Sequence, residues 1–186
     1  LLITPAGIPY RELAPDDIVE VTLHGAPDGS RLRPSSEWRM HAAIYASRAE
    51  AAAIVHTHSP RATALACAGR GIPPFHYMIA LAGGDIRCMP YATFGTAELA
   101  AAALRGLDGR RATLLANHGV VAVGGSLRDA HSVAIEVENL ATQYLVMLAA
   151  DALGMPQYAP PLPRDRTAEL PIPELNTSKG ATTRAA

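Results

Sequence analysis

Two histidines stand one residue apart in Ile54-Val55-His56-Thr57-His58-Ser59-Pro60, an otherwise apolar stretch of a chain with seven histidines in all. In a strand, side chains alternate faces, so His56 and His58 share one side while Thr57 takes the other. Two imidazoles on one face can share a divalent cation. Such an ion needs at least one more protein donor and, in a catalytic site, an open position. His118 is the best candidate for that donor. It ends the apolar run Leu114-Leu115-Ala116-Asn117-His118 just before Gly119, where a side chain is displayed at a sheet edge. A lone His-x-His is a weak motif, and spacing alone also accommodates two rings that cap a strand end with backbone hydrogen bonds.

The elements that must position these residues alternate between short strands and amphipathic helices. Leu1 to Thr4 and Ile18 to Leu23 have the apolar, β-branched content of strands, separated by Pro5-Ala6-Gly7 and Pro9. Pro34-Ser35-Ser36-Glu37 reads as a helix start capped by Ser35 or Ser36. Trp38, His41, Ala42 and Tyr45 follow at helical spacing, to about Arg48. Ala53 to His56 is a buried strand, Ser59 to Ala68 a helix of small residues, and Ile86 to Pro90 a short strand. Thr96 caps a helix to Leu107, Ala112 to Ala116 and Val120 to Val123 are strands, and Leu127 to Ala150 is the longest helix. Residues 1–150 thus form one domain. Beyond Asp151 prolines become dense, which reads as an extended or disordered tail over 151–186.

Composition narrows the function. The 186 residues, 49% hydrophobic, suffice for one well-buried core. Sixteen basic and seventeen acidic residues, with no block of like charge, argue against a nucleic-acid partner and for a small molecule. Cys67 and Cys88 are the two cysteines and no charged, apolar leader precedes the first strand, so a reducing cytoplasm is expected. The alanine-rich runs are broken by Arg, Glu, Gly or Pro, so no membrane span is expected. The sequence opens on Leu1-Leu2-Ile3 without Met, within what reads as a strand, as if its start lay upstream.

An ordered series of motifs adds a resemblance. Pro34-Ser35-Ser36-Glu37-Trp38-Arg39-Met40-His41 is followed by Val55-His56-Thr57-His58-Ser59 and Ile72-Pro73-Pro74-Phe75-His76-Tyr77-Met78. Then come Pro90-Tyr91-Ala92-Thr93-Phe94-Gly95-Thr96 and Leu115-Ala116-Asn117-His118-Gly119. Together, over about residues 1 to 150, they resemble the class II aldolase/adducin family and within it the fuculose-phosphate aldolases. The resemblance implies a three-layer α/β/α sandwich on a largely antiparallel sheet, and a homotetramer with active sites between subunits. It implies zinc, or another divalent metal, on His56, His58 and His118. Glu37 would be the acid/base carboxylate, able to reach the metal when substrate is absent, and Tyr77 the tyrosine near the aldehyde leaving group. Read alone, Glu37 is also an ordinary first-turn acid favoured by the helix dipole, and Tyr77 a core aromatic. His76 reads as structural.

The chemistry implied is cleavage of a sugar phosphate, such as L-fuculose 1-phosphate, to dihydroxyacetone phosphate and an aldehyde. Three neutral imidazoles leave zinc its full charge, which stabilises the enediolate formed as the carbon-carbon bond breaks. Ser35 and Ser36, at a helix N-terminus, favour an anion, and Ala6-Gly7 resembles a second phosphate contact. A further phosphate loop of the family lies upstream of the first strand, ahead of where this sequence begins. The family's epimerases carry an acid shortly before their Gly-Asp-Ile run. Here Met78-Ile79-Ala80-Leu81 precedes Gly83-Gly84-Asp85-Ile86, which favours the aldolase branch. Decarboxylase, dehydratase or epimerase chemistry, or an adducin-like interaction module without catalysis, are the alternatives. The tail does not follow the fuculose pattern, and Tyr158 in it is assigned no role.

Overall fold

The computed structural model describes residues 1–23, 25 and 31–155. In chain order the elements are β1 (Leu2–Ile3), β2 (Val19–Glu20), α1 (Trp38–Ser47), β3 (Ala53–Thr57) and α2 (Pro60–Cys67). They continue as β4 (Arg87–Met89), α3 (Ala97–Leu107), β5 (Ala112–Leu115), β6 (Gly119–Gly124) and α4 (Leu127–Ala152). Three short 3-10 turns, Tyr10–Glu12, Pro15–Asp17 and Tyr77–Ala82, were not foreseen from the sequence, since each is too short to show a period.

The main sheet has the order β3-β6-β5-β4. The β3·β6 and β5·β6 pairs are antiparallel, and β4·β5 is parallel. Strands β1 and β2 form a separate antiparallel pair. The two-residue period of the strands divides the core in two. On one face Ala112, Leu114, Val120 and Ala122 pack with Ala62, Leu65 and Ala66 of α2 and Val133, Val137 and Leu140 of α4. On the other, Ile54, Leu115, Val121 and Val123 pack with Met40 and Ile44 of α1 and Leu99, Ala103 and Leu107 of α3. The result is the expected three-layer α/β/α sandwich. Each fully buried leucine or valine stabilises it by about 1.5–3 kcal/mol.

Side-chain caps fix the helices. Thr96 Oγ1 accepts the Leu99 N–H at 3.3 Å, as its place before α3 predicts, and Ser126 Oγ accepts the Asp129 N–H at 3.1 Å. Glu138 of α4 accepts the Arg61 and Ala62 N–H groups at 3.0 and 2.9 Å, closing the N-terminus of α2 from across the layer. Neither Ser35 nor Ser36 directly caps α1. Ser35 Oγ instead accepts the N–H of Glu37, the residue flanking the helix, at 3.2 Å.

Helix α4 is, by length and composition, long and apolar enough to cross a bilayer. Its acidic and basic residues are Arg128, Asp129, Glu136, Glu138 and Asp151, which leaves 139–150 without one. Even so, the face bearing Val133, Val137 and Leu140 is committed to the sheet.

Candidate metal centre and active site

His56 lies in β3, an edge strand, and His58 is the next residue on that face just beyond its end. His118 belongs to the three-residue turn Ala116-Asn117-His118 that joins β5 to β6, closed by the Leu115–Gly119 pair. Because β6 also pairs with β3, with Thr57 opposite Val120, this turn lies beside the end of β3. Register therefore brings together three side chains about sixty residues apart. The ring centroids are 5.1 Å apart for His56–His58, 4.9 Å for His56–His118 and 5.0 Å for His58–His118. One ligand atom from each lies within 4.8 Å of the others.

The residues fit a divalent cation. His56 Nδ1 lies 2.9 Å from the Val120 carbonyl oxygen, which can only accept, so Nδ1 carries the proton and Nε2 presents a lone pair. That Nε2 is buried with no hydrogen-bond partner among the described residues. Burial also pushes the His56 pKa from 6.5 down to about 3, the Val120 bond opposing and the neighbouring histidines adding. Burial, then His58, lowers that of His118. His56 and His118 are thus held neutral, as metal ligands must be.

Glu37 opens onto the same cavity, of about 540 Å³, which the three histidines, Ser35 and Ser36 also line. It is 7% exposed, and its Oε2 is buried without a hydrogen-bond partner among the described residues. Burial raises its pKa above the ordinary carboxylate value, while the Gly95 N–H opposes the shift. Glu37 does not join the three-histidine cluster itself.

Ser35 and Ser36 are shared with an adjoining cleft of about 320 Å³ lined by Ala6 and Gly7. The Ala6 N–H already donates to Arg33 O at 2.9 Å, and that of Ser35 to Thr4 O at 3.0 Å. Ser36 and Gly7 therefore have the freer backbone donors of the four. Tyr77 stands apart: it is 54% exposed, opens the Tyr77–Ala82 turn, and does not line this chain's own cavity. His76 Nδ1 accepts the Met78 N–H at 3.3 Å, in keeping with its structural reading. Tyr158 lies outside the described residues, as does most of the tail.

Sequence reasoning gave no role to six residues that line the cavity: Tyr10, Thr57, Tyr91, Ala92, Phe94 and Asn117. Tyr91, Phe94 and Asn117 lay within motifs used for the resemblance but received no role. Asn117 carries a readable signal in hindsight, since asparagine before His-Gly in a tight turn is a residue suited to positive φ, and its φ is 55°.

Over most of its length the chain is similar to known proteins. Residues 1–145 match the family described as Class II Aldolase and Adducin N-terminal domain. A 5-methylthioribulose-1-phosphate/5-deoxyribulose-1-phosphate aldolase of Rhodospirillum rubrum is 55% identical over 145 residues, covering 77% of this chain and 65% of the relative. An L-fuculose phosphate aldolase of Escherichia coli strain K12 is 49% identical over 150 residues, covering 80% and 69%. The solved structure of an L-fuculose 1-phosphate aldolase superposes with a TM-score of 0.80 at 42% identity, covering 90% of this chain and 78% of that one. The chain thus spans about two thirds of the length of these curated relatives. With the family match over residues 1–145, the similarity to these relatives and the shared fold, the chain belongs to the class II aldolase and adducin family.

Proposed function

We propose that the protein is a zinc-dependent aldolase that cleaves a ketose 1-phosphate to dihydroxyacetone phosphate and an aldehyde. The observation that carries this reading is the pairing, in one cavity, of three convergent imidazoles with a buried carboxylate whose Oε2 has no partner among the described residues. Zinc bound by His56, His58 and His118 would supply the positive charge that stabilises an enediolate. Glu37 would hold and return the proton at the carbon next to the ketone. A carboxyl whose pKa is raised by burial suits a group that must both take and give one. Ser36 and Gly7 would bind the phosphate beside the N-terminus of α1.

The relatives' names point to ketose 1-phosphates whose far end is methyl or thioether, and L-fuculose 1-phosphate is one of these. The aromatic wall of Tyr10, Tyr91 and Phe94 suits such an end. Tyr77 would serve the site only from a neighbouring copy, in keeping with a cytoplasmic homotetramer whose sites lie between subunits.

The test follows solvent deuterium into dihydroxyacetone phosphate with zinc-loaded protein, a half-reaction that isolates proton transfer from aldehyde binding. Glu37→Gln should keep zinc and melt normally, yet exchange about 10²–10⁴-fold more slowly. Exchange at the wild-type rate would remove the role given to Glu37. Folded protein that takes up no zinc would point to the interaction module instead.

A further inference from the structure

The backbone at Asn117 is in the left-handed region, with φ of 55°, and it is the one non-glycine residue with positive φ among those described. Such a conformation persists only where surrounding contacts impose it, and it concentrates at functional sites. Here the contacts are visible. The Asn117 N–H donates to Ala66 O at 3.2 Å, the His118 N–H to Leu115 O at 3.1 Å, and the Ala116 N–H to Met89 O at 2.9 Å. These bonds pin the turn to the end of α2 and to β4, and so fix the direction in which His118 leaves it.

The conformation alone does not require asparagine, because glycine adopts it at no steric cost. What asparagine adds is a carboxamide on an exposed residue that lines the cavity next to His118. A carboxamide offers two donors and an acceptor. It can complement both a hydroxyl, which donates and accepts, and a ketone oxygen, which accepts.

The geometry points to Asn117 as a substrate-contacting residue whose carboxamide hydrogen-bonds an oxygen of the hydroxy-ketone seated against the histidine cluster. This rests on the aldolase reading and adds a specificity contact to it. The partner is a hydroxyl or carbonyl oxygen of the substrate, not its phosphate, which the serine cleft would hold on the side of Ala6 and Gly7.

Glycine separates the two roles that asparagine could play. Asn117→Gly keeps the left-handed turn and removes the carboxamide, whereas Asn117→Ala removes the carboxamide and strains the turn. The measurement is the Kd of dihydroxyacetone phosphate for zinc-loaded wild type and both variants by calorimetry, with melting temperature and zinc content from the same preparations. Asn117→Gly is expected to keep its zinc, to melt at or above the wild-type temperature, and to bind roughly 3- to 10-fold more weakly, the worth of one neutral hydrogen bond. Asn117→Ala should bind at least as poorly and melt lower. Wild-type affinity in Asn117→Gly, whatever Asn117→Ala does, would reduce Asn117 to a conformational role and overturn the contact. Wild-type protein that loads zinc but binds no dihydroxyacetone phosphate would overturn the aldolase reading and the contact together.

Discussion

Gly119 is where a single methyl group should dismantle the metal site without touching a ligand. It opens β6 opposite Leu115. A Cβ built there would lie 2.4 Å from Thr57 O and 2.8 Å from His58 Cδ2. A comfortable carbon-oxygen contact is about 3.3 Å, so relief requires a shift of roughly 0.9 Å. The first obstacle is backbone of β3 and cannot swing aside. The end of β3, which carries His56 and His58, must move away from the turn that carries His118. Zinc–nitrogen bonds of about 2.0–2.1 Å tolerate changes of only about 0.2 Å. Gly119→Ala should therefore weaken zinc binding by at least 10–100-fold, the range seen when ligand orientation is disturbed. It should also cost about 1–3 kcal/mol of stability in the metal-free protein, as overpacking does, or about 2–4 °C of melting temperature per kcal/mol. Zinc affinity would be read by competition with a chelator and melting by calorimetry. Gly125→Ala is the control, because a Cβ there meets nothing within 4 Å among the described residues. Wild-type zinc affinity and melting in Gly119→Ala would refute the claim that the close approach of β3 and β6 sets the ligand geometry.

Two further outcomes follow from the histidines. His56→Ala or His118→Ala should lower zinc occupancy sharply while the chain stays folded, since two imidazoles are too few for a tight site, and unchanged zinc in both would remove the metal assignment. Acid should destabilise the metal-free protein. Burial pushes His56 to about 3 and His41 to about 4, both below 6.5, so the unfolded chain binds more protons below pH 6.5. The stability these two contribute is complete above pH 6.5 and falls as pH drops toward 4, by up to roughly 1.4 kcal/mol per pH unit for each. Denaturant titrations between pH 7 and 5 should lose up to roughly 4 kcal/mol from the pair. His41→Asn should flatten that slope, and an unchanged slope would show that His41 is not held neutral by burial.

Legibility in the sequence followed the range of the interactions. The placement of His56 and His58 on one face was readable because alternation is a local property of a strand, and both rings do face the cluster. The third histidine of the cluster was singled out by residue type and a following glycine. Its meeting with the other two depends on the order β3-β6-β5-β4, in which β3 and β6 pair across some sixty residues, and no local pattern encodes that. Helix α4 was found to within two residues, because its apolar positions recur at helical spacing along its length. Tyr10 carried no signal, and Tyr91 and Phe94, though inside a motif, carried none that aimed them at the site. Single aromatics in irregular segments have no period, and only the cavity gives them a common direction.

The supports of the site are mechanically separate, and this bears on how its chemistry can fail. The imidazoles hang on the sheet, where Val120 O orients His56 and the pairing of β6 with both β3 and β5 sets the spacing. Glu37 stands at the start of α1, held by Ser35 Oγ on its own N–H and facing the Gly95 N–H from the turn before α3. Helix α1 packs through Met40 and Ile44 on the sheet face whose core includes Val121 and Val123, so its register against β6 sets how far the carboxylate stands from the histidines. Damage to the β3–β6 contact should therefore remove metal first and proton transfer only as a consequence. Damage at the start of α1 should leave a loaded but slow site. Loss of both functions in a single step from a change confined to α1 would mean that the two supports are coupled through the α1–sheet interface.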